Sequence, residues 1–513
     1  FPTASLAYTG QLVWDDPLPD PGMNLSVIPY ALTGVSKDYS NGKKATYRKE
    51  IGVDAKIAVT SSLNLDLTVN PDYSQVEVDQ QVTNLDRFEL FFPERRQFFL
   101  ENNDLFGNVG FTNIRPFFSR RIGLGVPIDF GARLSGSLDK NWRIGVMDMQ
   151  TKKVDETGLP AQNFTVMALQ RRVFARSNLR LLFVNKQSLA YTPGQDTSKP
   201  IYSLYNRNIG LEYNLASNNN RWTGKMMTMK SFSPGANEKS LTASSNIQYA
   251  SRHWLLSLQQ EYVGRGYNAE VGYVPRTNYI KLNPLAGYLF FPGKTAVLSH
   301  GPRVISTYYF DPSLHTTDYE NLLLYLVNLR DQSVFDAWVA HDYVELLQPF
   351  DPTNSGKDTL ATGSRHDWNA AGFDFISKPQ RLFTYSLSGR TGGYFSGGTR
   401  QSLSAILGYR FQPYVGISVT ANYNDISLPA PWNRSRFWLV GPRVDVTFTN
   451  TLFFTTFVQY NNQLKNINLN TRLQWRYRPA SDLFLVYTDN YYPAPLAVRN
   501  RAFVLKLTYW WNN

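Results

Sequence analysis

The sequence predicts an all-β protein: a transmembrane antiparallel β-barrel of the outer-membrane type, with about 24 strands (roughly 22–26) and an insert in its lumen. Three observations carry this. Segments of roughly ten residues alternate apolar and polar side chains, which sorts them onto the two faces of a strand. Short polar turns alternate along the chain with longer links rich in Gly, Pro, Asp and Asn, the rhythm of barrel hairpins with one short and one long end. Aromatic residues make up 14% of the chain, a surplus that suits interfacial girdles.

Residues 1–23 read as a periplasmic lead-in and residues 24–513 as one barrel interrupted by an insert over 71–128. Three strands are expected near Leu25 to Val35, Thr46 to Thr60 and Leu63 to Asn70. After Asp129, short turns fall at LDKNW, FARSN, SNNNR, ASRHW, RDQSV, SKPQR, FQPY, FTNTL and RPASD, with a further one near Pro292 to Lys294. The long links between them include SLAYTPGQDTSKP, SFSPGANEKS, DPTNSGKDTLATGS and NDISLPAPWNRS.

Alternation recurs from strand to strand. Ile209, Leu211, Tyr213 and Leu215 oppose Asn208, Gly210, Glu212 and Asn214; Leu403, Ala405, Leu407 and Tyr409 oppose Ser402, Ser404, Gly408 and Arg410. In NINLNTRLQWRYRP, from Asn466, apolar residues face one way while Arg472, Arg476 and Arg478 face the other. These three, with Arg410 and Lys506, are the expected lumen-facing cations. In the last strand Phe503, Leu505, Leu507, Tyr509 and Trp511 form one apolar, aromatic face, as in a C-terminal strand read by a barrel-assembly machinery. Two asparagines follow the final aromatic.

Composition narrows the alternatives. The formal net charge is +12, but no basic run exceeds two residues, which argues against a nucleic-acid arm. Cysteine is absent, so disulfides, thiolate metal sites and thiol catalysis are excluded. No run of about 18 apolar residues marks a transmembrane helix. Phe1 does not open a charged and then apolar leader, so an exported protein is expected here as a mature or trimmed chain. Both barrel ends are expected in the periplasm of a Gram-negative cell, with outer-membrane lipid and lipopolysaccharide around the wall.

Between Asn70 and Asp129 the hairpin rhythm fails, over a span longer than passive loops usually are. Acidic residues Glu77, Asp79, Asp86, Glu89, Glu94, Glu101 and Asp104 nearly balance Arg87, Arg95, Arg96, Arg115, Arg120 and Arg121. Phe88, Phe91, Phe92, Phe98, Phe99, Phe106, Phe111, Phe117 and Phe118 are too many to leave in water. A wide barrel encloses space that its own side chains cannot fill. The segment is therefore expected to fold inward as a plug or constriction, its charges pairing with lumen groups such as Arg410, Arg472 and Arg476.

NPDYSQVEVDQQVTNLDRFELFFPERRQFFLEN and IRPFFSRRIGL, with TTFVQYNNQ, LQWRYRPASDLFLVY and NRAFVLKLTYWW near the C-terminus, resemble a largely uncharacterised outer-membrane barrel family of Bacteroidota. Members commonly carry a family-9-type carbohydrate-binding domain before the barrel. The resemblance implies location and fold. The residues that would hold that domain are missing from this sequence, so no glycan site is expected here.

Candidate chemistry is sparse. Glu94 and Glu101 flank a Phe-rich stretch and could be cast as a glycosidase pair, but pairing with Arg95, Arg96 or lumen arginines is the expectation. His253, His300, His315, His341 and His366 lack ligand spacing, so neither metal nor cofactor is expected. DPTNSGKD, Asp351 to Asp358, misses the EF-hand pattern and reads as a solvated loop tip. The leading functional expectation is a plugged scaffold or accessory subunit of an outer-membrane complex for export, assembly or glycan handling, with partner proteins. A channel or uptake pore with a constricted lumen is the alternative, and a barrel hydrolase ranks below both.

Overall fold

Period-two alternation becomes a closed wall. The computed structural model describes residues 14–15, 24–40, 42, 44–71, 81–235, 238–354, 356 and 358–512. The expected lead-in therefore lies outside the described residues save Trp14 and Asp15, as do Glu77, Asp79, Ser355 and Lys357.

The first eight strands are β1 (Leu25–Asp38), β2 (Thr46–Thr60), β3 (Leu63–Val69), β4 (Ile128–Ser137), β5 (Trp142–Thr151), β6 (Gln162–Val173), β7 (Ser177–Ser188) and β8 (Tyr205–Ala216). The next are β9 (Trp222–Phe232), β10 (Leu241–Ala250), β11 (Trp254–Val263), β12 (Tyr279–Tyr288), β13 (Val297–Phe310), β14 (Thr316–Leu329), β15 (Val334–Glu345) and β16 (Arg365–Ile376). The last are β17 (Phe383–Gly393), β18 (Thr399–Phe411), β19 (Val415–Ser427), β20 (Arg434–Thr447), β21 (Leu452–Asn461), β22 (Asn466–Arg478), β23 (Ser481–Pro493) and β24 (Leu496–Thr508).

Each strand pairs antiparallel with its neighbours in sequence. The wall closes where β24 meets β1, from Tyr30 opposite Thr508 to Asp38 opposite Asn500. A two-residue strand β25 (Trp511–Asn512) extends the seam, with Trp511 opposite Val27. Closure leaves no open edge, the condition for a sheet in hydrocarbon. The expected strand number and every expected short turn are present, all on the rim that carries Leu25 and Thr508, here called the terminal rim. The opposite rim is the loop rim.

The outward face carries a band of exposed apolar residues around the wall. Met167, Leu181, Leu211, Leu256, Leu323, Val339, Leu403, Val458 and Leu507 are examples, with Leu323 51% and Val339 53% exposed. Such a continuous apolar surface fits lipid, not water. Outward aromatics pair at the terminal rim, Trp222 with Tyr249 and Trp254 with Tyr288. Others pair towards the loop rim, Tyr319 with Tyr343 and Tyr423 with Trp438. These are the two girdles that amphipathic rings form at membrane boundaries. Among the described residues no helix is long and apolar enough to cross a membrane.

β3 runs from the terminal rim to the loop rim, and Val69 pairs directly with Phe130 of β4. Residues 70–127 thus leave and re-enter the wall at the loop rim without interrupting the ladder. Among the described residues of this span, regular structure is limited to one helical turn, α1 (Gln97–Leu100), and two 3₁₀ turns at Asn103–Leu105 and Ser119–Arg121. Packing, not hydrogen-bonded repetition, must hold them.

Candidate functional site

The insert enters the barrel and packs against one side of its inner wall. None of its nine phenylalanines is exposed, and Phe99, Phe106 and Phe117 are fully buried. They share a cluster with Leu105, Val109, Ile114 and Ile122 of the insert and with inward side chains of the wall. Those are Met147 and Met149 of β5, Phe164 and Val166 of β6, Leu182 and Val184 of β7, and Met227 and Met229 of β9. On β5, β6, β7 and β9 both faces of the wall are apolar here, one towards lipid and one towards the insert, while β8 between them keeps a polar inner face.

The insert's charges divide between internal and wall partners. Inside it, Glu94 takes Arg96 at 2.7 Å and the Ser119 hydroxyl at 2.6 Å. Burial works to raise the Glu94 carboxyl, but the hydrogen bonds from Arg96 and Ser119 prevail and hold it below the ordinary carboxylate range. Glu89 pairs with Arg121, Arg120 donates to the Pro93 carbonyl at 2.9 Å, and the Arg115 guanidinium lies 4.1 Å from the Phe91 ring. Phe91 also packs on Phe118 and Tyr273, and Phe92 lies beneath Arg120. The Arg95 backbone N–H donates to Glu94.

Towards the wall, Arg87 meets Asp318 of β14 at 2.6 Å, near the loop rim. Glu101 pairs with Lys56 of β2, and Asp104 with Arg143 of β5 at 2.6 Å. Arg133 of β4, 2% exposed, binds Asp66 of β3 at 2.6 Å and donates to the carbonyls of Phe98 and Glu101. Towards the terminal rim, the Gly110 N–H donates to buried Glu212 of β8 at 2.7 Å. There Lys225 of β9 donates to the Asn108 and Gly110 carbonyls, each at 2.9 Å. Lys225 lies near the terminal end of its strand, so the insert traverses most of the barrel's height. A cavity of about 480 Å³ remains between residues 107–112 and Lys225, Asn246 and Gln259.

These partners differ from the expected ones. Arg410 donates to the Pro379 and Arg381 carbonyls, Arg476 pairs with Asp482 at 3.3 Å, and Arg478 donates to the Tyr509 hydroxyl. Arg472 sits opposite Thr455, which donates to Asp445. Lys506 lies over the Tyr30 ring. The wall engages these cations locally, Arg476 through a carboxylate and Arg410 and Arg478 through neutral acceptors, because wall neighbours are nearer than the insert. Lys56, Arg133, Arg143, Glu212, Lys225 and Asp318 were not anticipated as insert partners. For Arg143 and Lys225 the available signal was a charge on the same inward face as Met147 and Met149 or Met227 and Met229; the others stand among polar inward neighbours and gave none. In the last strand Phe503, Leu505 and Leu507 share the outward face, but Tyr509 falls in the break between β24 and β25.

The DPTNSGKD loop is solvated only in part: Asn354, Gly356 and Asp358 are exposed, but its first residues are packed. Thr353 is fully buried, Tyr394 donates to the Pro352 carbonyl at 3.0 Å, and Gln463 donates to the Thr353 and Asn84 carbonyls. Leu85 of the insert packs here with Leu346, Leu360, Phe395, Ile426 and Trp432, covering part of the loop rim. Burial pushes the Tyr394 phenol up to about 12. The five histidines occupy separate places, each with its own partner: Leu289, Tyr325, Glu345, Tyr319 and Ser364 respectively. Among the described residues no group of three His, Cys, Asp or Glu is placed to hold a metal.

Not all of the inner wall is covered. Arg400, Ser402 and Ile406 share one face of β18; Arg400 lies over the Tyr394 ring, next to the insert, so Ile406 points inward as well. It is nonetheless 53% exposed. Glu320 of β14, on the same face as Asp318, is exposed too. Water therefore reaches the inner wall at these two positions, which the insert leaves uncovered.

Residues 21–137 match a domain of unknown function, DUF5916. No curated protein matches the chain. Among solved structures, the siderophore receptor PirA from Acinetobacter baumannii is 8% identical, with a TM-score of 0.44 over 94% of this chain and 80% of that one. PirA from Pseudomonas aeruginosa is 9% identical, with a TM-score of 0.44 over 96% and 81%. The copper transporter OprC is 9% identical, with a TM-score of 0.44 over 97% and 81%.

Proposed function

We propose that the protein is an outer-membrane channel whose insert narrows the lumen, with the terminal rim in the periplasm and the loop rim outside the cell. The observation that carries this reading is the water-exposed inner wall at Ile406 of β18, and at Glu320 one inward position beyond the Arg87–Asp318 contact. A lumen meant only to be filled would bury such positions, as it buries Met147 and Met149 on the other side. Charged side chains lining the uncovered wall would set which solutes pass.

The test is conductance in planar bilayers. Intact protein is expected to give small steps, and a variant with residues 81–127 replaced by a short Gly/Ser link is expected to give steps several-fold larger. Silence of the intact barrel would refute the channel.

The plugged-scaffold reading keeps one specific support, the insert's contacts with β2, β5, β14 and β21 around the wall, the last through Gln81 and Gln459 at 2.8 Å. On that reading the intact barrel is silent and copurifies with stoichiometric partner proteins.

A further inference from the structure

The outward face near the loop rim carries more cation than its carboxylates need. On β19 and β20, Asp425 lies directly opposite Arg436. It binds Arg434 at 2.6 Å and Arg436 at 3.3 Å. Asp425 is nearly buried, whereas the two guanidinium groups are 59% and 55% exposed. Arg434 alone satisfies the carboxylate, through Nε at 2.8 Å and Nη2 at 2.6 Å. Arg436 is therefore the surplus charge.

The same arrangement recurs at the seam. Asp489 is fully buried beneath Arg501, 2.7 Å away and capped by the Tyr487 and Tyr491 hydroxyls. Directly opposite Arg501 across the β1–β24 pairing stands Lys37, which is exposed. Like charges facing each other across two strands destabilise the pair unless an anion lies between them.

Both surpluses point outward, in register with Val35, Phe503 and Trp438 of the apolar band, and each lies within one or two outward residues of it. That is headgroup depth. Arginine forks beside tyrosine hydroxyls suit phosphate oxygens in a partly dehydrated boundary, where the pairing gains strength.

We propose that this face binds the phosphate groups of a phosphorylated glycolipid of the surrounding outer leaflet. Arg436 forms one pole and Lys37 with Arg501 the other. Four strand spacings separate the poles, about 19 Å along the wall. β21 and β22 place Tyr460 and Ile467 between them on the outward face, leaving an uncharged surface for sugar and acyl chains.

The experiment compares the intact chain with Lys37→Gln/Arg436→Gln, which removes the surplus but leaves Arg434 and Arg501 on their buried partners. Each is placed in nanodiscs of phosphatidylethanolamine containing a minor fraction of lipid A, extracted in mild detergent, and weighed by native mass spectrometry. The intact barrel is expected to retain lipid A and the double variant about tenfold less. Arg171→Gln, which removes an outward cation over Trp142 at the terminal rim, is expected to retain it fully. Heat-modifiable gel mobility checks that every variant is a folded barrel. Equal retention by the intact chain and the double variant, an equal loss in Arg171→Gln, or equal capture of phosphatidylglycerol in place of lipid A would each overturn the proposal.

Discussion

Arg133 joins the wall to the insert, and removing it tests whether the insert is held as a unit. Its guanidinium spends Nε and Nη2 on Asp66 and Nη1 on the carbonyls of Phe98 and Glu101. Arg133→Met keeps the length of the side chain but strips both functions. Asp66 is left buried without its partner, a loss of about 3–5 kcal/mol. The two carbonyls lose a charged donor, worth about 1.5–3 kcal/mol each before relaxation. The double variant Arg133→Met/Asp66→Asn removes the stranded charge, leaving the insert contact as the residual loss, about 3 kcal/mol.

The wall on either side stays fully laddered, since β3 pairs with β2 and β4 along its length. The residual loss should therefore fall on the insert. Its reporters are the amides of Phe99, Leu100, Leu105 and Phe106, each hydrogen-bonded within the insert. Local opening sets their exchange with solvent. A loss of about 3 kcal/mol corresponds to roughly 100-fold faster exchange, since each 1.4 kcal/mol is tenfold. The double variant should show this at those amides, with the β3 and β4 amides unchanged. Unaltered protection would refute the idea that Arg133 anchors the insert, and an equal rise in the wall would show the two to be one cooperative unit.

Two further outcomes follow from the same geometry. Because the folded Glu94 carboxyl titrates below its ordinary value, its stabilisation is fully present above about pH 4.3 and is lost as pH falls through the depressed value. Protection of the Ile122 amide should hold from pH 7 to about 4.3 and fall below it; Glu94→Gln should flatten that step, and a step of unchanged size would contradict the assignment. On β24, Leu505→Arg places a charge in the outward band away from the terminal rim and should lower stability in liposomes by about 2–4 kcal/mol. Val504→Arg, on the inward face beside Lys506, should cost about 1 kcal/mol or less, and a reversed order in urea titrations would mean the faces are misassigned.

The wall was legible because each of its strands must solve the same two-sided problem. One face meets lipid along the entire barrel, so Ile209, Leu211, Leu403 and Leu407 declare themselves without knowledge of any partner. The inner face has no such uniform demand. On β8 and β22 it is polar, and alternation is clean; on β5 it carries Met147 and Met149, and the period-two signal fades. That fading marked where the insert lies, but it reads as noise until the insert is in place. The insert's partners were illegible for a related reason. Lys56, Arg133 and Glu212 stand 45, 35 and 102 residues from Glu101, Phe98 and Gly110, and no local pattern ties them together.

The same two-faced arc changes how removal of the insert must be read. Deleting residues 81–127 would uncover Met147, Met149, Phe164, Val166, Leu182, Val184, Met227 and Met229 inside the barrel. An apolar arc in a pore can exclude water and gate by dewetting, so a deleted barrel with little added conductance need not contain a second obstruction. The control is to repaint the arc. Met147→Ser, Met149→Thr and Met227→Thr in the deleted background restore polarity at inward positions without touching the lipid face. If the insert alone narrows the lumen, conductance should rise in two steps, first on deletion and again on repainting. A barrel that stays closed after both would place the obstruction in the loop-rim cover around Leu85, Tyr394 and Trp432, and mutation of that cluster would be the next perturbation.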